Sequence, residues 1–534
     1  MKRKKMLYAL VLGLVAAMAL SAQGGKEKSP LQEGGFDPTG KLVSQPTTIR
    51  VMLRDSVSQP LKNYAPAQQE IFKETGVKLD YEIIPSASYD EKKNILFSTN
   101  NWPDIAFIPS KKDLASYAQT GIFLPLTQYV NEKDMPNFFK LWNQYPDMHN
   151  YLVGGELYAF PVVQGDKGAN GFGPVIRVDL LEKNNLPVPQ TFDELLDTLE
   201  KLHTRYPDSI PYTGRKGTKQ FLKTTSYMLG SGFGSDGIYY DFDKKRYIYG
   251  PASQEFKTVL SWLADAYRRG ILDPDYATST GEQLQSKMSN GRALFYLDNS
   301  AFGPMSYNKA LRSVPGCEDA KLQIIPIPEN RYGQRRAITY EKELAGSFYA
   351  INAQSKHIDT IIKLLDWMYS DRGRTITNYG VEGYSFTYNA EGKPEYKLDY
   401  LEKFRDAKPS SYYAVFSDLG VTKLNFTPYT INDTLIEIQK ALGQWDGTSE
   451  EFWDIVYSDP AYHSPKVDPS FTEEETEQVT EIMMRVETML EQVYDKFIMG
   501  QEPIAKWDEI IAKEEAMGVR ELEKIYNDAE ARNH

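Results

Sequence analysis

The sequence predicts an α/β protein built from two large lobes and extended by helices at its C-terminus. The first observation is length, because 534 residues exceed one ordinary domain of about 100–200 residues. The second is an alternation of strand-like and helix-like segments, which is typical of βαβ units with parallel strands. The third is a helical pattern that runs from Thr472 to the end of the chain.

Near the beginning of the chain, three strand patterns alternate with two helix patterns. Thr48–Leu53 and Val77–Ile84 alternate between apolar and polar residues, as half-buried strands do. Pro66–Thr75 and Tyr89–Ser98 have helical periodicity, and Ile105–Ile108 is a short apolar strand. This order predicts the first part of a sheet.

The middle of the chain repeats the same order of elements. Gly173–Val178, Arg292–Leu297 and Leu322–Ile327 are predicted strands. Thr191–Glu194 is a capping box, which indicates the start of a helix with four leucines on one face. A longer helix is predicted around Phe256–Arg269.

The last third returns to one strand and then becomes helical. Gly346–Ile351 is a predicted strand, and the apolar residues of 358–369 recur on one helix face. A cap at Thr472 begins a long helix that ends at Gly500, and Gly518 separates two shorter helices.

Charge and composition exclude some classes of function. The net charge is −12, whereas a nucleic-acid-binding protein needs a basic footprint for the phosphates. The acidic balance also disfavours a polyanionic ligand, although it leaves room for a local basic pocket. Aromatic residues make up 13% of the chain, with 36 tyrosines. They suit either stacking on a flat ligand or the filling of a large core.

The N-terminus predicts export. Residues 2–5 are basic, 6–19 are almost uninterruptedly apolar, and small residues follow, which together predict a signal peptide over 1–22. Leu20–Gln23 resembles a bacterial lipobox, but Gln23 stands where the lipid-carrying cysteine belongs. Lipidation is therefore not expected at this position. Residues 23–45 are rich in glycine, proline and charge and predict a flexible tether.

No motif predicts catalysis, a cofactor or a metal site. Cys317 is the only cysteine, so an intrachain disulfide and a cysteine-based metal site are excluded. Gly232–Gly237 matches G-x-G-x-x-G, but a hairpin pattern follows it, which favours a loop at the rim of a cleft. Asp241–Asp243 and Asp273–Asp275 are explained by turn and cap chemistry rather than by calcium binding. A pair of glycosidase carboxylates stays open.

Six motifs, taken in order, carry a family resemblance. They are Asn101–Ile105; Gly154–Pro161; Arg177–Glu194; Tyr267–Asp275 with Gly291–Ala293; Ile351–Lys356 with Leu365–Ser370 and Gly380–Gly383; and Trp507–Asp508 with Gly518–Arg532. Together they resemble the family 1 extracellular solute-binding proteins, a group that includes the LplA-type lipoproteins. The resemblance spans most of residues 46–534.

The resemblance implies a two-lobe periplasmic-binding-protein-like fold with a ligand cleft between the lobes. The N-lobe would hold 46–125 and 345–390, and the C-lobe 126–344 and 391–534. The protein would close by a hinge around a carbohydrate, expected to be an oligosaccharide, and present it to the permease of an ABC importer. An exported, monomeric, non-enzymatic protein in the periplasm or on the outer face of the cytoplasmic membrane is expected.

Three alternatives stay open at this point. The same scaffold could bind a peptide or another polar solute. The protein could be an exported enzyme that degrades glycans, or a sensor that presents a sugar to a membrane kinase.

Candidate ligand-binding residues follow from the rule that ligands sit outside the carboxyl ends of parallel strands. Polar candidates near strand ends and in one loop are Arg54, Asp55, Ser110, Arg177, Asp298, Asn299 and Glu382. Candidates for stacking on a sugar are Trp102, Tyr227, Phe233 and Tyr384. Each has a structural alternative: Trp102 and Tyr227 could pack in a core, and Arg177 could form an internal ion pair.

Overall fold

A computed structural model describes residues 41–118, 120–164, 171–234, 236–338, 344–422, 424–445, 447–463, 465–466 and 468–532. The predicted signal peptide, Gln23 and most of the predicted tether lie outside these residues. In the part of the chain that is described, no helix is both long and apolar enough to cross a membrane.

Strands and helices follow the order expected from the sequence. The strands are β1 (Thr47–Arg54), β2 (Val77–Ile84), β3 (Ile105–Ile108), β4 (Ala159–Val163), β5 (Phe172–Arg177), β6 (Ile210–Thr213), β7 (Ile238–Asp241), β8 (Arg246–Tyr249), β9 (Ala293–Asn299), β10 (Leu322–Ile324), β11 (Ala337–Ile338), β12 (Leu344–Ile351), β13 (Phe386–Tyr388), β14 (Pro394–Tyr396) and β15 (Tyr462–His463). The α-helices are Pro66–Thr75, Tyr89–Ser98, Lys111–Ala118, Pro136–Gln144, Val178–Lys183, Phe192–Arg205, Gly217–Leu229, Gln254–Arg268, Gly281–Ser289, Asn308–Leu311, Ile358–Tyr369, Asp371–Tyr379, Leu398–Leu401, Ser411–Leu419, Asp433–Ala441, Gly447–Ser458, Glu473–Ile498, Trp507–Ala516 and Val519–Arg532.

The first lobe is built on a five-stranded sheet in the order β2-β1-β3-β12-β4. Strands β1, β2 and β3 are parallel, so Arg54, Ile84 and Ile108 reach the same edge of the sheet. Strand β12 is antiparallel to both of its neighbours, because the chain enters this sheet again from the second lobe. The expectation of parallel strands is therefore wrong for this half of the sheet.

The second lobe is built on a four-stranded sheet in the order β10-β5-β9-β6. Strands β6 and β9 are parallel, and their carboxyl ends carry Thr213 and Asn299 to the same edge. Strand β5 is antiparallel to β9, with Phe172 opposite Asn299. Only the beginning of β5 therefore lies at this edge, and its end at Arg177 lies at the opposite one.

The two lobes have separate hydrophobic cores, and their boundaries differ from those expected. The first core contains residues from 126–163 and 391–442 as well as from the predicted N-lobe. The helix Pro136–Gln144 belongs there because the backbone amides of Asn137 and Phe138 donate to Asp366 at 2.9 and 3.0 Å. The second core and a satellite cluster cover the two faces of the four-stranded sheet.

Three connections cross between the lobes. They join β4 to β5, β11 to β12, and the helix Asp433–Ala441 to the helix Gly447–Ser458. Described residues that flank the crossings lie together in the first lobe, because Val163 pairs with Leu344 and Asn432 donates to the carbonyl of Gln164 at 3.1 Å. Gly171, where the chain enters the second lobe, lies against the ring of Tyr462. Three connections between two lobes can act as a hinge.

Gly173, near the point where the chain enters the second lobe, has no room for a side chain. A Cβ atom on Gly173 would lie 2.6 Å from Oη of Tyr462 and 3.1 Å from Cδ1 of Ile324. We expect Gly173→Ala to destabilise the second lobe by about 1–3 kcal/mol because of this overpacking, as measured by calorimetric unfolding. Gly447→Ala is the control, because its added Cβ meets nothing within 4 Å. Equal unfolding temperatures for the two variants would contradict the expected clash.

Candidate functional site

Each lobe carries charged residues at the carboxyl edge of its parallel strands. Arg54 ends β1 in the first lobe, and its Cζ lies 5.4 Å from the centre of the Phe107 ring. Arg215 and Lys216 follow β6 in the second lobe. Loss of solvation lowers the pKa of Lys216, and the positive charges of Arg215 and Arg54 lower it further.

A buried ion pair organises the second lobe's side of the cleft. Asp298, at the end of β9, accepts hydrogen bonds from Nε and Nη2 of Arg215, each at 2.9 Å. Their side chains are only 4% and 12% exposed. The same carboxylate accepts the backbone amide of Asn299 at 2.6 Å. This two-pronged contact holds the guanidinium in one orientation, above the Phe302 ring at 4.9 Å.

Lys216 combines a strained backbone with an exposed positive charge. Its φ of 61° lies in the left-handed region, which is uncommon for a residue other than glycine. Its amide donates to the carbonyl of Ser279 at 2.7 Å, which anchors this conformation. The residue precedes the helix Gly217–Leu229, whose first turn has no side-chain cap, so unpaired amides add partial positive charge there.

Several charges act on the ammonium of Lys216. The side chain is exposed to solvent, but the protein atoms of the cleft surround it closely enough that lost solvation lowers its pKa. The charges of Arg215 and Arg54 lower the pKa further, whereas Asp298 and Glu282 raise it. Among the described residues, the ammonium has no hydrogen-bond or ion-pair partner.

Polar contacts from the helix Lys111–Ala118 join the two lobes. Nζ of Lys111 in the first lobe donates to the carbonyl of Pro469 at 2.7 Å. The ammonium of Lys112 lies 3.0 Å from the carboxylate of Asp236, in the glycine-rich loop of the second lobe. This contact agrees with a position of the loop at the rim of the cleft. The loop lies between a helix and the hairpin β7–β8, unlike a dinucleotide-binding loop.

Further candidate residues lie at the same edges but are engaged by their own loops. Oδ1 of Asp55 accepts the backbone amides of Ser56 and Leu61 at 2.8 and 2.9 Å. Ser110 donates to Asp113 at 2.6 Å at the start of the helix Lys111–Ala118. Asn299 accepts the amide of Ala301 at 3.0 Å. These contacts hold the loops of the cleft in place.

Arg177 lies at the wrong edge of its sheet to reach the cleft. Its guanidinium is buried and forms two hydrogen bonds with Asp179, at 2.7 and 2.6 Å. The expectation that Arg177 contacts a ligand assumed a parallel strand, whereas β5 is antiparallel. The contacts of Arg177 are those of an internal ion pair, which was the structural alternative for this residue.

Three of the four aromatic candidates are buried in the cores. Trp102 packs edge-on against Phe97 and Phe123, at 5.0 and 5.6 Å between ring centres. Phe233 is fully buried and contacts Tyr494.

Tyr227 is buried as well, and the Arg336 guanidinium covers its ring at 4.4 Å. Trp102, Tyr227 and Phe233 therefore offer no open face to a sugar. Their aromatic character, read from sequence alone, could not separate core packing from ligand stacking.

Glu382 and Tyr384 lie in one exposed loop of the first lobe. Glu382 accepts a hydrogen bond from Arg372 at 3.2 Å, and Arg372 also contacts Glu74 at 2.7 Å. Glu74 is near the end of the helix that leads into β2, so Glu382 lies at the edge opposite Arg54. The Tyr384 ring packs on Tyr400 at 5.2 Å.

The cleft contains residues that the sequence analysis did not single out. Arg215 and Lys216 follow β6, a strand of four residues that contains Pro211 and lacks a clear alternating pattern. Phe302 follows β9 in the same way. The available signal was the basic pair between Gly214 and Gly217 after a short apolar segment. The buried acids Asp241 and Asp273 instead accept hydrogen bonds from turns and neighbouring side chains.

Comparisons with known proteins agree with this arrangement. The family model described as "Bacterial extracellular solute-binding protein" matches residues 55–375. The "Polygalacturonan/rhamnogalacturonan-binding protein YtcQ" of Bacillus subtilis is 26% identical over 305 residues, 56% of this chain and 57% of that protein. The alignment thus spans little more than half of that relative. "Lipoprotein LipO" of the same species is 21% identical over 70% of this chain and 72% of its own.

Solved structures show the same fold. The alginate-binding protein AlgQ2 has a TM-score of 0.77 and 22% identity, covering 92% of this chain and 99% of its own. The substrate-binding protein FusA of S. pneumoniae, solved in complex with kestose, has a TM-score of 0.70 and 19% identity. That likeness covers 91% of this chain and 100% of the FusA chain.

Because the Asp298–Arg215 pair is largely buried, we expect its loss to lower the unfolding free energy more than the loss of an exposed pair. Asp298→Ala leaves a largely buried guanidinium without its carboxylate, so we expect a loss of about 3–5 kcal/mol in the unfolding free energy. Asp193→Ala is the matched control, because its pair with Arg331 is exposed, and we expect a loss below about 1 kcal/mol. Denaturant unfolding measures both losses, and similar values would contradict the structural role of Asp298.

Because Lys111 contacts the second lobe, we expect its substitution to change the radius of gyration. Without ligand, Lys111→Met removes the donor to residues 468 and 469, so we expect a larger radius of gyration in small-angle X-ray scattering. Lys244→Met removes an ion pair with Glu255 within the second lobe and should leave the radius unchanged. An unchanged radius for Lys111→Met would show that this contact does not hold the lobes together.

Proposed function

The chain belongs to the family of bacterial extracellular solute-binding proteins, and from this premise we propose that it captures an oligosaccharide between its lobes. The observation that carries the proposal is the charged set at the carboxyl edges of the two sheets, with Arg54 in the first lobe and Arg215 and Lys216 in the second. Ligands of open α/β sheets lie outside such edges. The three connections between the lobes would provide the hinge for closure.

The relatives support a carbohydrate over a peptide. The names of the matched proteins state polygalacturonan or rhamnogalacturonan for YtcQ, alginate for AlgQ2 and kestose for FusA. These are sugars of different charge and linkage, so they support the class of ligand and leave the individual sugar open. Further solved relatives carry names that refer to N-glycan transport.

The cleft residues have distinct proposed roles. Arg54, Arg215 and Lys216 would donate hydrogen bonds to hydroxyl or acidic groups of the sugar. Phe302 is half-buried beside Arg215 and would pack against a sugar face. Asp298 would act by orienting Arg215, while Asn299, Ser110 and Asp55 would shape the loops around the ligand. Glu382 and Tyr384 lie at the opposite edge of the first sheet, so we assign them no role in ligand binding.

Delivery completes the proposed function. Solute-binding proteins of ABC transporters hand their ligand to membrane permeases, and we propose that the form with its lobes together is the one a permease contacts. An exported monomer fits this role. Gln23 stands where a lipobox has its lipid-carrying cysteine. The proposal therefore includes no lipid anchor at this position.

Calorimetric titration of the purified chain with neutral and acidic oligosaccharides tests this function. We expect one sugar to bind per chain, the radius of gyration to decrease on binding because the lobes close, and the recovered sugar to keep its mass. Peptides of similar size serve as the control ligand. Binding of peptides alone, or recovery of a cleaved sugar, would contradict the proposal.

A further inference from the structure

The glycine-rich loop of the second lobe, described at residues 232–234 and 236–237, is folded tightly. Gly234 has a φ of 59°, and a Cβ atom there would lie 1.8 Å from the carbonyl oxygen of Ile238. Gly237 has a φ of 96°, and its Cβ would lie 2.4 Å from the ring of Tyr249. Neither position has room for a side chain. The compact backbone therefore limits where Asp236, beside Gly237, can lie.

Asp236 is directed to the first lobe. Its side chain is only 16% exposed, and its carboxylate lies 3.0 Å from Nζ of Lys112. In its own lobe, Nζ of Lys219 lies 3.8 Å from the same carboxylate and 3.0 Å from that of Glu487. Asp236 thus lies between a cation of its own lobe and a cation of the other lobe. The loop, which no proposed sugar contact uses, makes an ion pair between the lobes.

The neighbouring lysine makes a second contact between the lobes. Nζ of Lys111 donates to the backbone carbonyls of Asp468 and Pro469, at 2.5 and 2.7 Å. Loss of solvation lowers the pKa of Lys111 to about 8, whereas the charges of Asp468 and Glu530 act in the opposite direction. The ammonium therefore stays protonated at neutral pH and keeps its three donors.

These contacts bypass the three crossings. The helix that carries both lysines begins soon after β3 ends, at the carboxyl edge of the first sheet. On the same segment of the second lobe, the hydroxyl of Ser470 donates to the carbonyl of His149 in the first lobe at 3.2 Å. None of these residues belongs to a connection between the lobes. A rotation of one lobe away from the other would bend the crossings but break these contacts.

We propose that the glycine-rich loop and residues 468–470 form one half of a latch, that Lys111 and Lys112 form the other half, and that this latch retains a bound sugar without touching it. The retention of sugar rests on the proposed function, whereas the latch itself can be tested without a ligand. A latch raises the fraction of chains whose lobes are together. The apparent affinity for a ligand held by that form increases in proportion to this fraction. Release slows as well, because the lobes must part before the sugar leaves.

Spin labels on the two lobes test the latch in the protein without ligand. Ile95→Cys and Met484→Cys place one label on an exposed site of each lobe, and Cys317→Ser removes the native thiol. Pulsed electron paramagnetic resonance then measures the distances between the labels. We expect Lys112→Gln to raise the ratio of open to closed chains about two- to fivefold, as for an exposed ion pair. Lys111→Met should raise the ratio about tenfold, because charge-assisted hydrogen bonds are stronger.

A double-mutant cycle identifies the ion pair. Asp236→Asn should open the protein as Lys112→Gln does, and the combined variant should open no further than Asp236→Asn alone. Lys244→Gln, which removes an ion pair within the second lobe, should leave the distances unchanged. Circular dichroism verifies the folding of each variant. Additive effects would overturn the pairing of Lys112 with Asp236. Unchanged distances in the Lys111 and Lys112 variants would place these contacts at the pivot and overturn the latch.

The release of sugar tests the functional half of the proposal. Stopped-flow dilution measures the dissociation of kestose and of tetragalacturonate from the chain. We expect Lys111→Met to release the bound sugar at least fivefold faster and to weaken its affinity by a similar factor, with Lys244→Gln unchanged. Tighter binding by Lys111→Met would show that the latch closes the empty protein against sugar, and it would overturn the proposal.

The outcomes distinguish this inference from the proposed function. Binding of sugar with the same rate of release in Lys111→Met and in the unaltered chain would overturn the inference and leave the function standing. Failure of every sugar to bind would overturn the proposed function and the retention of sugar, while the distances between the labels would still decide whether the latch exists.

Discussion

The parallel pairing of β6 and β9, locked by the Asp298–Arg215 ion pair, determines the second lobe's side of the cleft. The pairing brings the residues after both strands to one edge, and the ion pair fixes a guanidinium there. In the first lobe, the parallel pairing of β1 with β2 brings Arg54 to the carboxyl edge of the sheet. We propose that the ligand lies between these edges, and the remaining helices support both sheets by filling the cores.

Local structure could be predicted well from the sequence. The helix Pro66–Thr75 and the strands Val77–Ile84 and Ile105–Ile108 have the predicted bounds, because periodicity and flanking glycines act locally. Strand β10 is shorter than expected, since prolines at 326 and 328 cannot donate to a ladder. Strand direction and the assignment of 126–163 and 391–442 to a core depend on distant contacts, which one sequence does not reveal.

The candidate site, too, could be predicted only where local strand patterns were sufficient. Arg54 and Asp298 lie at the ends of parallel strands, so the rule for sheet edges places them at the carboxyl edges. Arg177 ends an antiparallel strand, so the same rule fails. Phe233 has the composition of a stacking residue but the surroundings of a core residue. Lys216 was missed because its strand is short and its strained backbone has no sequence signature.

We propose that a sugar is held between the carboxyl edges of the two sheets and nowhere else. A crystal structure of the chain with a bound oligosaccharide tests this proposal directly. We expect the sugar to lie within hydrogen-bonding distance of Arg54 and Arg215. A sugar bound on the outer loop, beside Glu382 and Tyr384, would contradict it.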